Sequence, residues 1–290
     1  MTLITMVLGV LAAITVWFGF IFGKDAMSKK EQWEKETSFV TSGIIGFATN
    51  FFDTLGIGSF APTTALFKAF KQVNDRIIPG TLNVSMTIPV VLMAFIFMTV
   101  IEVEPITLIA MLVAATLGAW IGAGIIAKLP EKKIQLIMGI ALFVAAFLMF
   151  SSRMGWMPGG GEAIGLTGIN LIIGIVGHFI LGALMTAGIG LYAPSMALVY
   201  FLGMSPAVAF PIMMGACAFL MPVASVKFVK EQAYNKKASV AITLTGIVAV
   251  FIAAFIVKSL PLDMLRWLVI IVILYTSTTM LRAYSKNTSN

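Results

Sequence analysis

Apolar stretches long enough to cross a bilayer follow one another along this chain, with only short polar connections between them. A helix needs roughly 20 apolar residues to span a hydrocarbon core, and the pattern predicts full spans at 2–23, 77–101, 106–127, 132–150, 165–184, 206–226, 237–257 and 262–282. Backbone N–H and C=O groups cannot turn to water in hydrocarbon, so continuous runs of this kind have to be helices. With 60% hydrophobic and 11% charged residues among 290, and a mean hydropathy of +1.03, no water-soluble surface could be assembled. The expected fold class is an all-α polytopic membrane protein.

The same composition removes several chemistries. The net charge of +7 could suggest nucleic acid as a partner, but the basic residues fall in short clusters between apolar runs, as membrane orientation requires. One cysteine, Cys217, and one histidine, His178, cannot form a disulfide or a Cys/His metal cluster. No GxxxxGK[ST] phosphate loop is present, and no cofactor or metal is expected. Residues 2–23 lack a basic leading region, exceed the usual apolar core of a signal peptide and precede Lys24, Lys29 and Lys30, so they read as a retained helix.

Basic residues also set the topology. With the N-terminus outside, the inner face receives Lys24, Lys29, Lys30, Lys35, Lys68, Lys71, Arg76, Lys128, Lys132, Lys133, Lys227, Lys230, Lys236, Lys237, Arg282 and Lys286. The outer face receives only Arg153, Lys258 and Arg266, together with Glu102 and Glu104. Such an imbalance favours N-terminus outside and C-terminus inside.

Two spans are broken in the same way. GIGSFAP, Gly56 to Pro62, interrupts the apolar region 39–72, and GIGLYAP, Gly188 to Pro194, interrupts 165–202. Aligned at an offset of 132 residues, Gly56–Leu66 and Gly188–Leu198 share seven of eleven residues, and Pro79 pairs with Pro211. One residue less pairs Pro130 with Pro261. The chain therefore divides into an extra N-terminal helix and loop (1–38), a first repeat (39–150), a glycine-rich linker (151–164) and a second repeat (165–290). Each repeat holds one broken element and three full helices. Whether the element is a hairpin or two passes, the number of crossings is odd, so consecutive repeats are expected in opposite orientation.

Each break leaves backbone N–H groups without helical partners, which is costly unless they face protein, water or ligand. Glycine allows the turn, and a proline in the first turn starts a short helix whose free N–H groups and positive dipole end point at the tip. Two tips meeting near the midplane would hold an anion without lysine or arginine. The expected lining comprises Asn50, Thr54, Gly56, Gly58, Ser59, Pro62, Thr63 and Asn83, with Thr186, Gly188, Gly190, Pro194 and Ser195 from the second copy.

Asp53 and His178 are the ionisable side chains deepest in the spans, tyrosine and cysteine aside. Either could couple protons to transport. The alternatives are that Asp53, whose counterpart is Met185, caps its break, and that His178 is a buried neutral group bonded to a carbonyl. GIGSFA also fits the dinucleotide pattern GxGxxA, but no strand precedes it and the second copy lacks a matching acid. Small-residue helix packing explains the glycines but not the paired AP that follows.

The duplicated GxGxxxxP element, with KLPEKKIQLIMG and SLPLDMLRWLVI before the two last helices, resembles the sulfite exporter TauE/SafE family of membrane permeases over about 39–282. That resemblance implies transport of sulfite, thiosulfate or an organosulfonate across a bacterial inner membrane. The expected partners are a small anion, the lipid bilayer, and a coupling proton or sodium ion, with oligomeric state left open. The rival readings are an anion channel, a permease for another small anion, a membrane-embedded enzyme and a receptor subunit. The sequence offers no catalytic grouping around His178 for an enzyme.

Overall fold

The computed structural model describes residues 3–28, 33–98, 101–156, 160–255 and 262–286; Lys29, Lys30, Lys258, Pro261 and the centre of the glycine-rich connector lie outside them. Eleven α-helices occupy the described residues: α1 (Leu3–Ser28), α2 (Phe39–Thr54), α3 (Phe60–Ala69), α4 (Ile78–Phe97), α5 (Pro105–Ile126), α6 (Glu131–Arg153), α7 (Gly168–Met185), α8 (Tyr192–Phe201), α9 (Pro206–Lys230), α10 (Lys236–Phe255) and α11 (Leu262–Lys286). Seven of them, α1, α4 to α7, α9 and α10, are long and apolar enough to cross a membrane. Val16, Phe20, Val40, Ile44, Ile121, Ile125, Ile169 and Ile172 stay exposed on their outer sides, as a lipid-facing surface requires. This is a multi-pass membrane protein.

The broken regions are hairpins, not pairs of crossings. At the foot of the first, the Thr37 hydroxyl donates to the Gln72 carbonyl at 2.8 Å and the Ser38 N–H donates to Gln72 Oε1 at 2.8 Å. At the foot of the second, the Gly161 N–H donates to the Met204 carbonyl and the Ser205 N–H to that of Ala163, both at 2.9 Å. Each unit thus begins and ends at the same end of the bundle. α7, long enough to span by composition, is one arm of such a hairpin. The returning arms α3 and α8 have 10 residues each, about 15 Å at 1.5 Å per residue, which is half the thickness of a hydrocarbon core. Both start two residues before their proline, so Pro62 and Pro194 occupy the third helical position. An N–H there has no intrahelical partner in any case, and the prolines remove no bond.

The long arm of each hairpin packs mainly against a helix of the other half of the chain: α2 lies on α10, and α7 on α5. Small residues make this possible. A Cβ at Gly46 would stand 2.6 Å from the Ile242 Cα, one at Gly118 1.9 Å from the Phe179 carbonyl oxygen, and one at Gly182 2.0 Å from that of Ala115. Such backbone-to-backbone approach is how helices associate where lipid supplies no hydrophobic drive. α4 and α9 cross at the centre, and α6 pairs with α11. Pro89 within α4 leaves the Ser85 carbonyl without its helical donor, and the Thr243 hydroxyl of α10 supplies one at 2.9 Å.

Polar contacts define the two ends of the bundle. At one end, Tyr234 donates to Asp25 at 2.6 Å, Asn235 to Thr37 at 2.8 Å and Gln135 to Asp75 at 3.0 Å, while Lys68 pairs with Asp75 at 2.6 Å and Lys128 with Glu231 at 3.4 Å. This end carries nearly all the described basic side chains. At the other, the Glu104 N–H donates to the Ile164 carbonyl and the Leu166 N–H to the Thr107 hydroxyl.

If close approach holds the hairpin arm in place, Gly182→Val should lower the unfolding midpoint in detergent by several degrees, as overpacking by about 1–3 kcal/mol would. Gly19→Val, with nothing within 4 Å of the added carbon, should leave it within a degree or two of wild type.

Candidate functional site

The two hairpin tips meet at one cavity. Asp53, Gly58, Ser59, Phe60 and Ala61 line it from the first tip, and Met185, Gly190, Leu191, Tyr192 and Ala193 from the second. Every member of the first set stands 132 residues before a member of the second. Ile57, Pro62, Val90, Ala145, Met149, Cys217 and Ile273 complete the wall. The cavity measures about 50 Å³, room for roughly three or four waters. A Cβ on Gly190 would come within 4.0 Å of the Phe60 Cβ, so the tips face each other directly.

The chemistry of the two tips differs. The Asp53 carboxylate, 2% exposed, accepts from the Ser59 hydroxyl at 2.7 Å and from the Ser59 backbone N–H. An acidic side chain therefore already occupies the positive end of α3, where an anion is favoured by free N–H groups and the helix dipole. At α8 the matching position is Met185, and no side chain caps the first turn. Tyr192 and Ala193, the first two helical residues of α8 and so without intrahelical partners for their N–H groups, line the cavity. The Tyr192 hydroxyl is buried without a hydrogen-bond partner.

Of the residues expected from the sequence, Asp53, Gly58, Ser59, Pro62 and Gly190 line this cavity. Gly58 has φ of +88°, and Gly56 and Gly188 have +87° and +97°, a conformation in which a side chain is strained. Gly56 lines an adjoining cavity. Thr63 lies one turn along α3, fully buried, its hydroxyl without a partner. Pro194 is half-buried at the third position of α8.

The remaining residues are engaged elsewhere. Asn50 donates to the Gly46 carbonyl and abuts Gly246, Thr54 donates to the Asn50 carbonyl, Asn83 to that of Pro79 and Thr186 to that of Ala183. These bonds run back along their own helices, a common resting place for short polar side chains in apolar surroundings. His178 bonds the Gly174 carbonyl through Nδ1 and the Ser195 hydroxyl through Nε2, both at 3.0 Å. It clasps α7 to α8 inside the second hairpin and does not reach the cavity. Tyr192, Met185 and Cys217 were not anticipated. For the first two, the offset of 132 from Phe60 and Asp53 was the available signal.

The chain matches the family described as Sulfite exporter TauE/SafE over residues 1–149 and 170–290. It belongs to that family. The matched segments include α1, which the motif resemblance left out, and the gap at 150–169 falls on the connector between the halves. The family is one of membrane transporters of sulfur anions such as sulfite, not of enzymes. No curated protein and no solved structure matches the chain.

Cys217, the single cysteine and 1% exposed, makes the cavity testable. Gly190→Leu would place its side chain in the same space. Alkylation of Cys217 by N-ethylmaleimide, followed by intact-protein mass, should slow several-fold in that variant while the unfolding midpoint is kept; an unchanged rate would mean that the two residues do not share a cavity.

Proposed function

We propose that this protein is a secondary transporter that carries a small sulfur oxyanion or sulfonate through the cavity between the hairpin tips. The observation that carries the reading is that both duplicated breaks line one small cavity about half a bilayer deep, with an uncapped helix N-terminus on one side. Opposed half-helix N-termini at the midplane are the usual means by which transporters hold an anion. The pairing of wall positions at a constant offset, and the reciprocal packing of α2 on α10 and α7 on α5, support two repeats of opposite orientation. The excess of basic residues at one end supports that end as cytoplasmic, in a bacterial inner membrane, with the N-terminus outside.

The anion binds at the tip of α8, the side without an acid. Asp53 is close enough to the same space that its charge and the anion's would repel in a medium of low dielectric. Protonation of Asp53 removes that repulsion, so a proton enters with the anion. Ser59 holds the carboxylate at the tip of α3 in either state.

The cavity shares Ile57, Met149, Tyr192 and Ala193 with a larger cavity of about 260 Å³ leading past Ser152 and Arg153. It shares no lining residue with the recess at the basic end. Access from one face only fits an alternating cycle, in which the recess opens when the outer path closes.

Three measurements test the reading. Purified protein in detergent should be stabilised by sulfite, thiosulfate or methanesulfonate above chloride, since a ligand that binds only the folded state raises its melting point by mass action. Gly190→Leu should abolish saturable uptake and counterflow in proteoliposomes while Gly190→Ala retains both; a wild-type rate in Gly190→Leu would overturn the assignment of the site. Asp53→Asn should bind the anion with an affinity that no longer falls as pH rises. An unchanged pH profile would make Asp53 a structural cap, and conductance without counterflow would favour a channel.

A further inference from the structure

Arg153 stands out because the function just proposed does not use it and orientation in the membrane disfavours it. Its end of the bundle is the one nearly free of basic residues, a face to which the sequence assigns only Lys258 and Arg266 besides it. Glu102, Glu104 and Glu162 lie at the same end. In the last turn of α6, the arginine gains something from the helix dipole, yet a lysine or arginine anywhere in that turn would gain as much. What the dipole does not explain is where Arg153 sits: in the wall of the larger cavity, half-buried, among Leu148, Met149, Ser152, Met196, Tyr200 and Phe210.

That cavity runs from Arg153 to the hairpin tips, and Tyr192 and Ala193 belong to both walls. Tyr192 is 7% exposed and its hydroxyl has no partner, although a buried phenol normally finds one. A donor kept idle at the boundary between the two spaces suits a ligand that passes from one to the other. The wall is otherwise mostly apolar, so an anion moving inward loses water and has few groups to replace it. Guanidinium is the side chain best matched to an oxyanion, because it presents several donors in one plane.

Resting on the transport function proposed above, we propose that Arg153 is the capture residue for the anion on the sparsely basic face, and that Tyr192 passes it to the tip of α8. Arg153 sets how readily an anion enters from that face. It does not determine the affinity of the inner cavity, whose walls it does not share.

The test is uptake of radiolabelled sulfite into membrane vesicles of both orientations. Arg153→Gln should raise KM about ten-fold for anion presented to the Arg153 face, as loss of one charge-assisted hydrogen bond would, with little change in maximal rate. KM from the basic face should stay within two-fold. The steep loss of uptake with rising ionic strength expected of a steered anion should flatten in the same variant, and Arg153→Lys should restore part of both. Tyr192→Phe should raise KM from both faces, because its hydroxyl serves the inner cavity as well.

An unchanged KM in Arg153→Gln, or an equal rise from both faces, would overturn the proposal. A melting midpoint equal to wild type shows that the variant is folded; if Gln at this position prevents folding, the KM of Arg153→Lys against wild type decides in the same way. Failure of wild-type protein to take up sulfite saturably would instead overturn the transport reading itself, before any variant is compared.

Discussion

A peptide group inside a membrane has nowhere to put its hydrogen bonds except the protein, and everything distinctive about this fold answers to that. Two hairpins turn back among the apolar helices, each exposing a turn that lipid would not tolerate. They persist because each tip abuts the other and because helices of the opposite half close over both. Where a proline breaks the ladder of α4, a threonine from α10 fills in. Where α3 begins, the Asp53 carboxylate accepts from the Ser59 backbone N–H. At the start of α8 no side chain does, and on the function proposed above that is where the anion is held.

Much of this was legible in the sequence, for reasons that can be stated residue by residue. Length and apolarity fix most of the spans, because bilayer thickness leaves little choice; the expected span 165–184 is instead the long arm of a hairpin. GIGSFAP and GIGLYAP announce their breaks because helix packing accounts for lone glycines but not for a glycine pair followed by AP in both copies. The choice between hairpin and double pass was hidden, since both give the same parity; it was decided by Gln72 and Met204, two residues with no local signal. Partner exchange between the halves was hidden as well. Asn50, Thr54, Asn83 and Thr186 look like ligands in a linear reading, yet an amide or hydroxyl three or four residues after a helical carbonyl usually turns to its own helix.

The repeats are alike in frame and unlike in chemistry. Positions 53 and 185 face the same cavity from opposite tips, one with a carboxylate and one with a thioether. Positions 46 and 178 carry glycine against Ile242 and histidine against Ser195. A perfectly symmetric site would have no reason to bind a charged ligand on one side only. Among the substitutions that break the symmetry, the pair at positions 53 and 185 lies at the cavity.

The exchange of hairpin arms also imposes an order of assembly. α2 is complete once residue 54 has been made, but α10, against which it packs, begins only at residue 236. At about 5–20 residues per second, the arm waits roughly ten to forty seconds in the growing bundle with its glycine face open. α5 is likewise in place well before α7 arrives to cover it. The first half of the chain therefore cannot mature as a unit ahead of the second, and throughout synthesis its small-residue grooves remain available to whatever helix the membrane or its insertion machinery offers in the interval.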